Sequence, residues 1–225
     1  MVIPAEIREE YNRLGERKDL SHLKDFARWS FISSDDWTEL CRRTADFIGV
    51  QDGDRLFEAG CGSGAFLAEV AAYRTVSLAG VDFAENLVSI ARSRLPGDFR
   101  VADITDLSSI EAASYDKVLS HGVFLYLDSV DAARRAVLEM VRITRPGGTL
   151  YIGIVNDPDR HAKYDYPPSG SFILRRSFWR TLAEQEGLTL ELVDQESIFS
   201  KPTGYDCYSR TRYSLLLKKA PIAEA

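Results

Sequence analysis

The chain has 225 residues, 45% hydrophobic and 28% charged, which is enough for one hydrophobic core and close to the usual globular balance. Its formal net charge of −6 gives it no general attraction for nucleic acid or an anionic membrane, so a small-molecule or protein substrate comes first. Cys41, Cys61 and Cys207 form neither a disulfide framework nor a C-x-x-C pattern, and no run approaches the length of an apolar membrane helix; the chain reads as cytoplasmic.

Residues 4 to 50 read as helical. Ile7, Tyr11 and Leu14 recur at helical spacing in a charged segment, and Asp35 and Asp36 are placed to cap a helix running through Trp37 and Phe47 to Gly49. Leu56 and Phe57 begin a short strand ending at Glu58, followed by glycines at 60, 62 and 64 and an apolar helix from Ala65 to Tyr73. A second strand ends on Asp82 and a third, Phe99 to Ala102, ends on Asp103. Tyr115 to Ser120 and Thr149 to Val155 make the fourth and fifth, with a helix over 128–144 and a tight turn at Arg145-Pro146-Gly147-Gly148 between them. Strands alternating with helices predict a parallel sheet covered on both faces. Residues 156–171 read as a loop, 175–186 as a helix, and 188–195 and 212–218 as two strands with no helix between them, paired antiparallel.

The segment Leu56 to Phe66, L-F-E-A-G-C-G-S-G-A-F, is the most informative. Glycines let a backbone turn tightly and approach a ligand closely. The same letters fit G-x-G-x-x-A, a form of the dinucleotide fingerprint, so a nicotinamide-dependent oxidoreductase is one reading. Glu58, two residues before the first glycine, is instead suited to a ligand ammonium group. Glu58, Asp82 and Asp103 each end a predicted strand, and ligands of open α/β sheets bind at those ends. Each acid could also simply cap the helix after it.

Together, E-A-G-C-G-S-G, G-V-D-F, V-A-D-I and R-P-G-G resemble the successive motifs of the class I S-adenosylmethionine-dependent methyltransferases, of the small-molecule type 11/12 kind. The resemblance implies a Rossmann-like α/β fold. Its seven-stranded sheet would be mostly parallel with an antiparallel last strand, helices on both faces and a helical N-terminal extension. The expected organisation is a single domain over 1–225, with a helical cap (1–50), a cofactor-binding half (51–155) and a substrate-side half (156–219). The implied cofactor is S-adenosylmethionine, leaving as S-adenosylhomocysteine. Glu58 would organise the loop and the methionine ammonium, and Gly60, Cys61, Gly62 and Gly64 would pass close to the ligand. Asp82, with Phe83, would take the ribose, Asp103 and Ile104 the adenine, and Ser120 would complete the site. The segment Gly204 to Tyr213 resembles the tail of bacterial small-molecule methyltransferases, some linked to cell-surface sugars. A non-catalytic binding protein of the same fold is a third reading.

His121, just past the fourth strand, is the candidate general base, or else only part of the cofactor wall. Tyr164, Asp165 and Tyr166 in the long loop, and Tyr205, Tyr208, Arg210 and Arg212 near the last strand, are candidate substrate contacts, with a solvated loop and plain strand alternation as the other readings. Tyr11, Trp29 and Trp37 either close a lid over a sulfonium or are ordinary core. His22, His121 and His161 show no metal-ligand spacing, so no metal is expected. The expected partner is a small-molecule acceptor of methyl on oxygen or nitrogen, with no nucleic acid or membrane, and the protein a monomer or homodimer.

Overall fold

The computed structural model describes residues 4–26, 29–164, 172–200 and 206–221. Seven strands form one sheet: β1 (Arg55–Ala59), β2 (Ser77–Asp82), β3 (Asp98–Val101), β4 (Tyr115–His121), β5 (Thr144–Asn156), β6 (Thr189–Asp194) and β7 (Arg212–Lys218). Their order is β3-β2-β1-β4-β5-β7-β6. All pairs from β3 to β5 are parallel, and β7 runs antiparallel to both β5 and β6. The order reverses between β1 and β4, opening a crevice at the carboxyl ends of those strands.

Alternating side chains divide the core between the two faces, as the period of a strand demands. Phe57, Val118, Leu150 and Leu215 pack with α6 (Val130–Ile143) and α8 (Arg176–Gln185). Leu56, Leu119, Tyr151 and Leu216 pack with α3 (Ser34–Ile48), α4 (Ala65–Ala71) and α5 (Glu85–Arg94). Ahead of α3 lie α1 (Ala5–Gly15) and the short α2 (Leu23–Phe26). The N-terminal segment is docked onto the fold. A Cβ at Gly15 would lie 2.6 Å from that of Asn86, whose side-chain amide donates to the Asn12 carbonyl, and Ser63 donates to the Leu23 carbonyl at 2.8 Å.

Several local expectations are corrected. Ser33, not Asp35 or Asp36, caps α3, accepting from the Asp36 amide at 3.1 Å. Arg145 to Gly148 is not a free turn but a bulge inside β5: the register with β4 jumps from Tyr115↔Thr144 to Lys117↔Thr149. The expected loop after β5 contains α7 (Pro158–Tyr164). Two short helices, α9 (Gln195–Ile198) and α10 (Asp206–Thr211), separate β6 from β7, although these two strands pair antiparallel as expected. β3 ends at Val101, so Asp103 stands two residues past the strand.

Candidate active site

A cavity of about 620 Å³ opens at the crevice, within the usual range of small-molecule sites. Glu58, Gly60, Cys61, Gly62, Asp82, Phe83, Asp103, Ile104 and His121, nine of the expected site residues, line it. The other two expected there do not. Ser120 spends its hydroxyl on the Ala59 carbonyl at 2.8 Å. Gly64 starts α4 in the left-handed region (φ +78°), and a Cβ there would meet Leu95 at 2.5 Å, so it serves the packing of α4 on α5.

The glycine loop is tied to β2 by its own amides. Gly60 and Cys61 both donate to the Val81 carbonyl, at 2.8 and 2.9 Å, and Gly62 donates to Asp82 Oδ2 at 2.9 Å. Asp82 Oδ1 accepts from the Ala84 amide at 2.9 Å, so this carboxylate holds the loop and the start of α5 together. Gly60 (φ +83°) passes so close to Val123 that a Cβ would meet it at 2.4 Å, whereas one at Gly62 (φ +51°) would make only an ordinary contact with Leu87 at 3.8 Å. Gly80 lies beneath Cys61, leaving room for its side chain.

Two buried carboxyls therefore face the crevice. Burial drives the Asp82 pKa up to about 6, against the pull of its backbone hydrogen bonds. Glu58 is raised well above the ordinary range by burial and by the neighbouring Asp82, and its Oε2 has no hydrogen-bond partner among the described residues. A buried acceptor left in this state favours a donor or cation brought by a ligand. Asp103 sits at the rim and accepts from the amide and hydroxyl of Thr105.

The opposite wall is aromatic. His121 is buried, with ring centroids of Trp29 at 5.6 Å, Phe66 at 5.4 Å, Tyr151 at 6.2 Å and Trp37 at 6.4 Å around it. Neither ring nitrogen has a hydrogen-bond partner among the described residues. Burial, and then the nearby charge of Arg212, bring its pKa down to about 3, so the imidazole is neutral at physiological pH. Trp29 and Trp37 are both buried and cavity-lining, so the core and lid readings describe the same two rings. Tyr11 lines the cavity too, edge-on to Phe83 and Tyr126.

Arg210 and Arg212, equivalent in the sequence, part company. Arg210 is exposed on α10 and away from the cavity, while Arg212 is buried at the start of β7 and lines it. Tyr166 and Tyr205, like Asp165, lie outside the described residues, as do the side chains of Tyr164 and Tyr208.

Sequence reasoning missed Phe66, Val123 and Ile154, all of which line the cavity. Only Phe66 carried a signal, as the second residue of the helix behind the glycine loop. Ile154 has a left-handed backbone (φ +64°), rare for a β-branched residue. Between Ile152↔Leu215 and Val155↔Tyr213, β5 carries one residue more than β7. This bulge reverses the phase of the strand and turns Ile154 to the cavity side, leaving Val155 in the opposite core.

The parallel sheet, its reversal point and its carboxylate-lined crevice define a Rossmann-like ligand-binding protein. Residues 57–152 match the methyltransferase domain family. The chain is 30% identical over 155 residues to the ubiquinone biosynthesis O-methyltransferase of Hahella chejuensis, a match covering 63% of each chain. It thus spans under two thirds of the length of the curated relatives it matches. Among solved structures, the methyltransferase bound to the Haloferax volcanii Trm112 activator superposes with a TM-score of 0.67 at 18% identity, covering 94% of this chain and 98% of that one. Geranyl diphosphate methyltransferase in complex with SAM gives 0.61 at 17% identity, covering 81% and 85%. Residues 57–152 thus resemble a methyltransferase domain, and the fold is one shared with S-adenosylmethionine-dependent methyltransferases of known structure.

Proposed function

We propose that this chain, acting as a single domain, binds S-adenosylmethionine and transfers its methyl to an oxygen or nitrogen of a small molecule. The observation that carries this reading is the electrostatics of the loop. A dinucleotide needs free amides for its pyrophosphate. Here the amides of Gly60, Cys61 and Gly62 are already spent on Val81 and Asp82, and two buried carboxyls face the crevice. That site repels an anion and suits a ligand carrying an ammonium group and hydroxyls. Glu58, with its unpartnered oxygen, is the residue for the ammonium, and Asp82, with lone pairs to spare, the residue for the ribose. Asp103, Phe83 and Ile104 line the place for the base. When bound, the cofactor supplies a methyl already activated on a sulfonium. The protein's part is then alignment and exclusion of water, which the buried aromatic wall provides.

Calorimetric titration with S-adenosylhomocysteine and with NADH tests this directly. S-adenosylhomocysteine should bind and NADH should not; the reverse would return the chain to the oxidoreductase reading. Tritium transfer from methyl-labelled S-adenosylmethionine to an added acceptor separates an enzyme from a binding protein of the same fold. Two of the curated relatives, a ubiquinone biosynthesis O-methyltransferase and a demethylmenaquinone methyltransferase, have names that favour a small-molecule acceptor, while a third is a probable tRNA methyltransferase.

A further inference from the structure

Ile154 stands in a conformation that its own side chain opposes. At φ +64° a β-branched residue crowds the backbone, and glycine is the residue that adopts this region freely. Such strain persists only where the surroundings impose it. Here the Ile154 amide donates to Ser214 Oγ at 3.3 Å. The Tyr151 hydroxyl donates to the same oxygen at 3.1 Å, and Ser214 donates in turn to Gln195 Oε1 at 2.5 Å. Ser214, fully buried, thus uses its one proton and both lone pairs. The Tyr151 ring lies back over Gly153, where a Cβ would meet its hydroxyl at 2.2 Å. Glycine at 154 would relieve the strain; what it lacks is the side chain.

That side chain faces the cavity. In an unbroken strand it would share the face of Leu150 and Ile152. The bulge places it instead with Trp37, Phe66 and Tyr151. It is 1% exposed, against 40% for Phe31, so Phe31 marks the mouth and Ile154 the inner end. Ile154 directly follows Gly153, the β4 partner of His121, whose two ring nitrogens have no partner among the described residues. A polar group bound at His121 therefore has Ile154 as the next residue along the wall. We infer, building on the methyltransferase reading, that Ile154 is the specificity-determining residue of the acceptor end. Its side chain is an apolar stop. With a polar group at His121, an acceptor can carry only a short apolar group beyond it, and longer ones are shut out.

The test uses the straight-chain primary alkanols from methanol to octanol. They are titrated into the whole chain with saturating S-adenosylhomocysteine, and binding is read by tryptophan fluorescence. The probes are neutral, so the charges of Glu58, Asp82, Arg17 and Arg212 around the cavity act on every member alike. In the wild type, affinity should rise about fourfold per methylene, the effect of burying one such group, and stop rising at a definite chain length. Ile154→Gly removes the side chain and the strain together, and should move that limit out by about two to four carbons. Ile154→Leu keeps the size of the side chain and should hold the limit within about one carbon. Should Ile154→Gly fail to fold, Ile154→Ala carries the test. No alkanol binding, affinity that climbs through octanol without a limit, a limit unmoved by Ile154→Gly or its alanine substitute, or an equal move in Ile154→Leu would each overturn the proposal. S-adenosylhomocysteine binding is measured separately by calorimetry. If the limit moves with residue 154 although S-adenosylhomocysteine does not bind, the stop stands and the methyltransferase reading falls.

Discussion

The two walls of the cavity are built by opposite strategies. The carboxylate wall is local: Glu58, the glycine loop and Asp82 come from two adjacent strand ends, locked by backbone amides. The aromatic wall is gathered from the whole chain. It takes Trp29 from the segment after α2, Trp37 from α3, Phe66 from α4, His121 from β4, Ile154 from β5 and Arg212 from β7. The difference separates two problems of fit. Holding one fixed ligand needs a rigid backbone cradle, whereas fitting an acceptor needs side chains that can be exchanged one at a time.

Substitutions can break this comparison, and the largest effect belongs to the backbone cradle. Gly60→Ala forces a Cβ onto Val123 at φ +83°. The packing should cost about 1–3 kcal/mol, on top of about 1–2 kcal/mol for the left-handed backbone. S-adenosylhomocysteine binding should vanish from the calorimetric trace. Gly62→Ala, whose Cβ would make only an ordinary contact with Leu87, should bear only the backbone cost, and equal losses in the two variants would show that the contact with Val123 is unimportant.

Asp82→Ala comes next. A hydrogen bond to a charged group is commonly worth about 1.5–3 kcal/mol, and the loss should appear in cofactor affinity. Because Asp82 also holds the Gly62 and Ala84 amides, a 2′-deoxy cofactor analogue is informative. A smaller loss with the analogue assigns the carboxylate to the ribose; an equal loss assigns it to the loop.

On the aromatic wall, the expected signature is pH-dependent stability. The His121 pKa is lowered from 6.5 to about 3, so the unfolded chain binds the proton first. Stability held above pH 6.5 is then lost as pH falls toward 3, by up to about 1.4 kcal/mol per pH unit. Asp82, raised from 3.8 to about 6, acts in the opposite sense over much of the same window. The difference between wild type and His121→Phe isolates the imidazole: urea midpoints between pH 7 and 5 should fall less in the variant. Identical slopes would mean that the ring is solvated. The smallest effect is expected for Ser63→Ala, which removes the tie to the Leu23 carbonyl. It should lower stability by about 0.5–1.5 kcal/mol, read as a shift in the denaturant midpoint.

Legibility followed the same division. The succession of strands along the chain, the antiparallel pairing of β7 and most of the carboxylate wall were readable because each rests on a local pattern: an apolar run, a glycine turn, an acid at a strand end. The aromatic wall was readable only in fragments. Trp29 and Trp37 looked equally like core, and Arg210 and Arg212 could not be told apart before the direction of β7 was known. The helices α9 and α10, 4 and 6 residues long, carry too little periodicity to be recognised. The R-P-G-G turn was misplaced because a bulge and a turn use the same residues, and only pairing across β4 distinguishes them. Ile154 was invisible, because nothing in a β-branched residue announces a left-handed backbone.

The bulge at Ile154 also leaves a labelled spot in the middle of the sheet. The amide of Ile154 is held by the Ser214 hydroxyl at 3.3 Å, and that hydroxyl also accepts from Tyr151 and donates to Gln195. A side-chain acceptor can rotate away without breaking the ladder on either side. In deuterated water this amide should therefore exchange faster than those of Leu150 and Ile152 in the same strand. Because its side chain lines the cavity, it should slow when an acceptor fills the space. One backbone proton would then report occupancy of the aromatic wall without any turnover being measured.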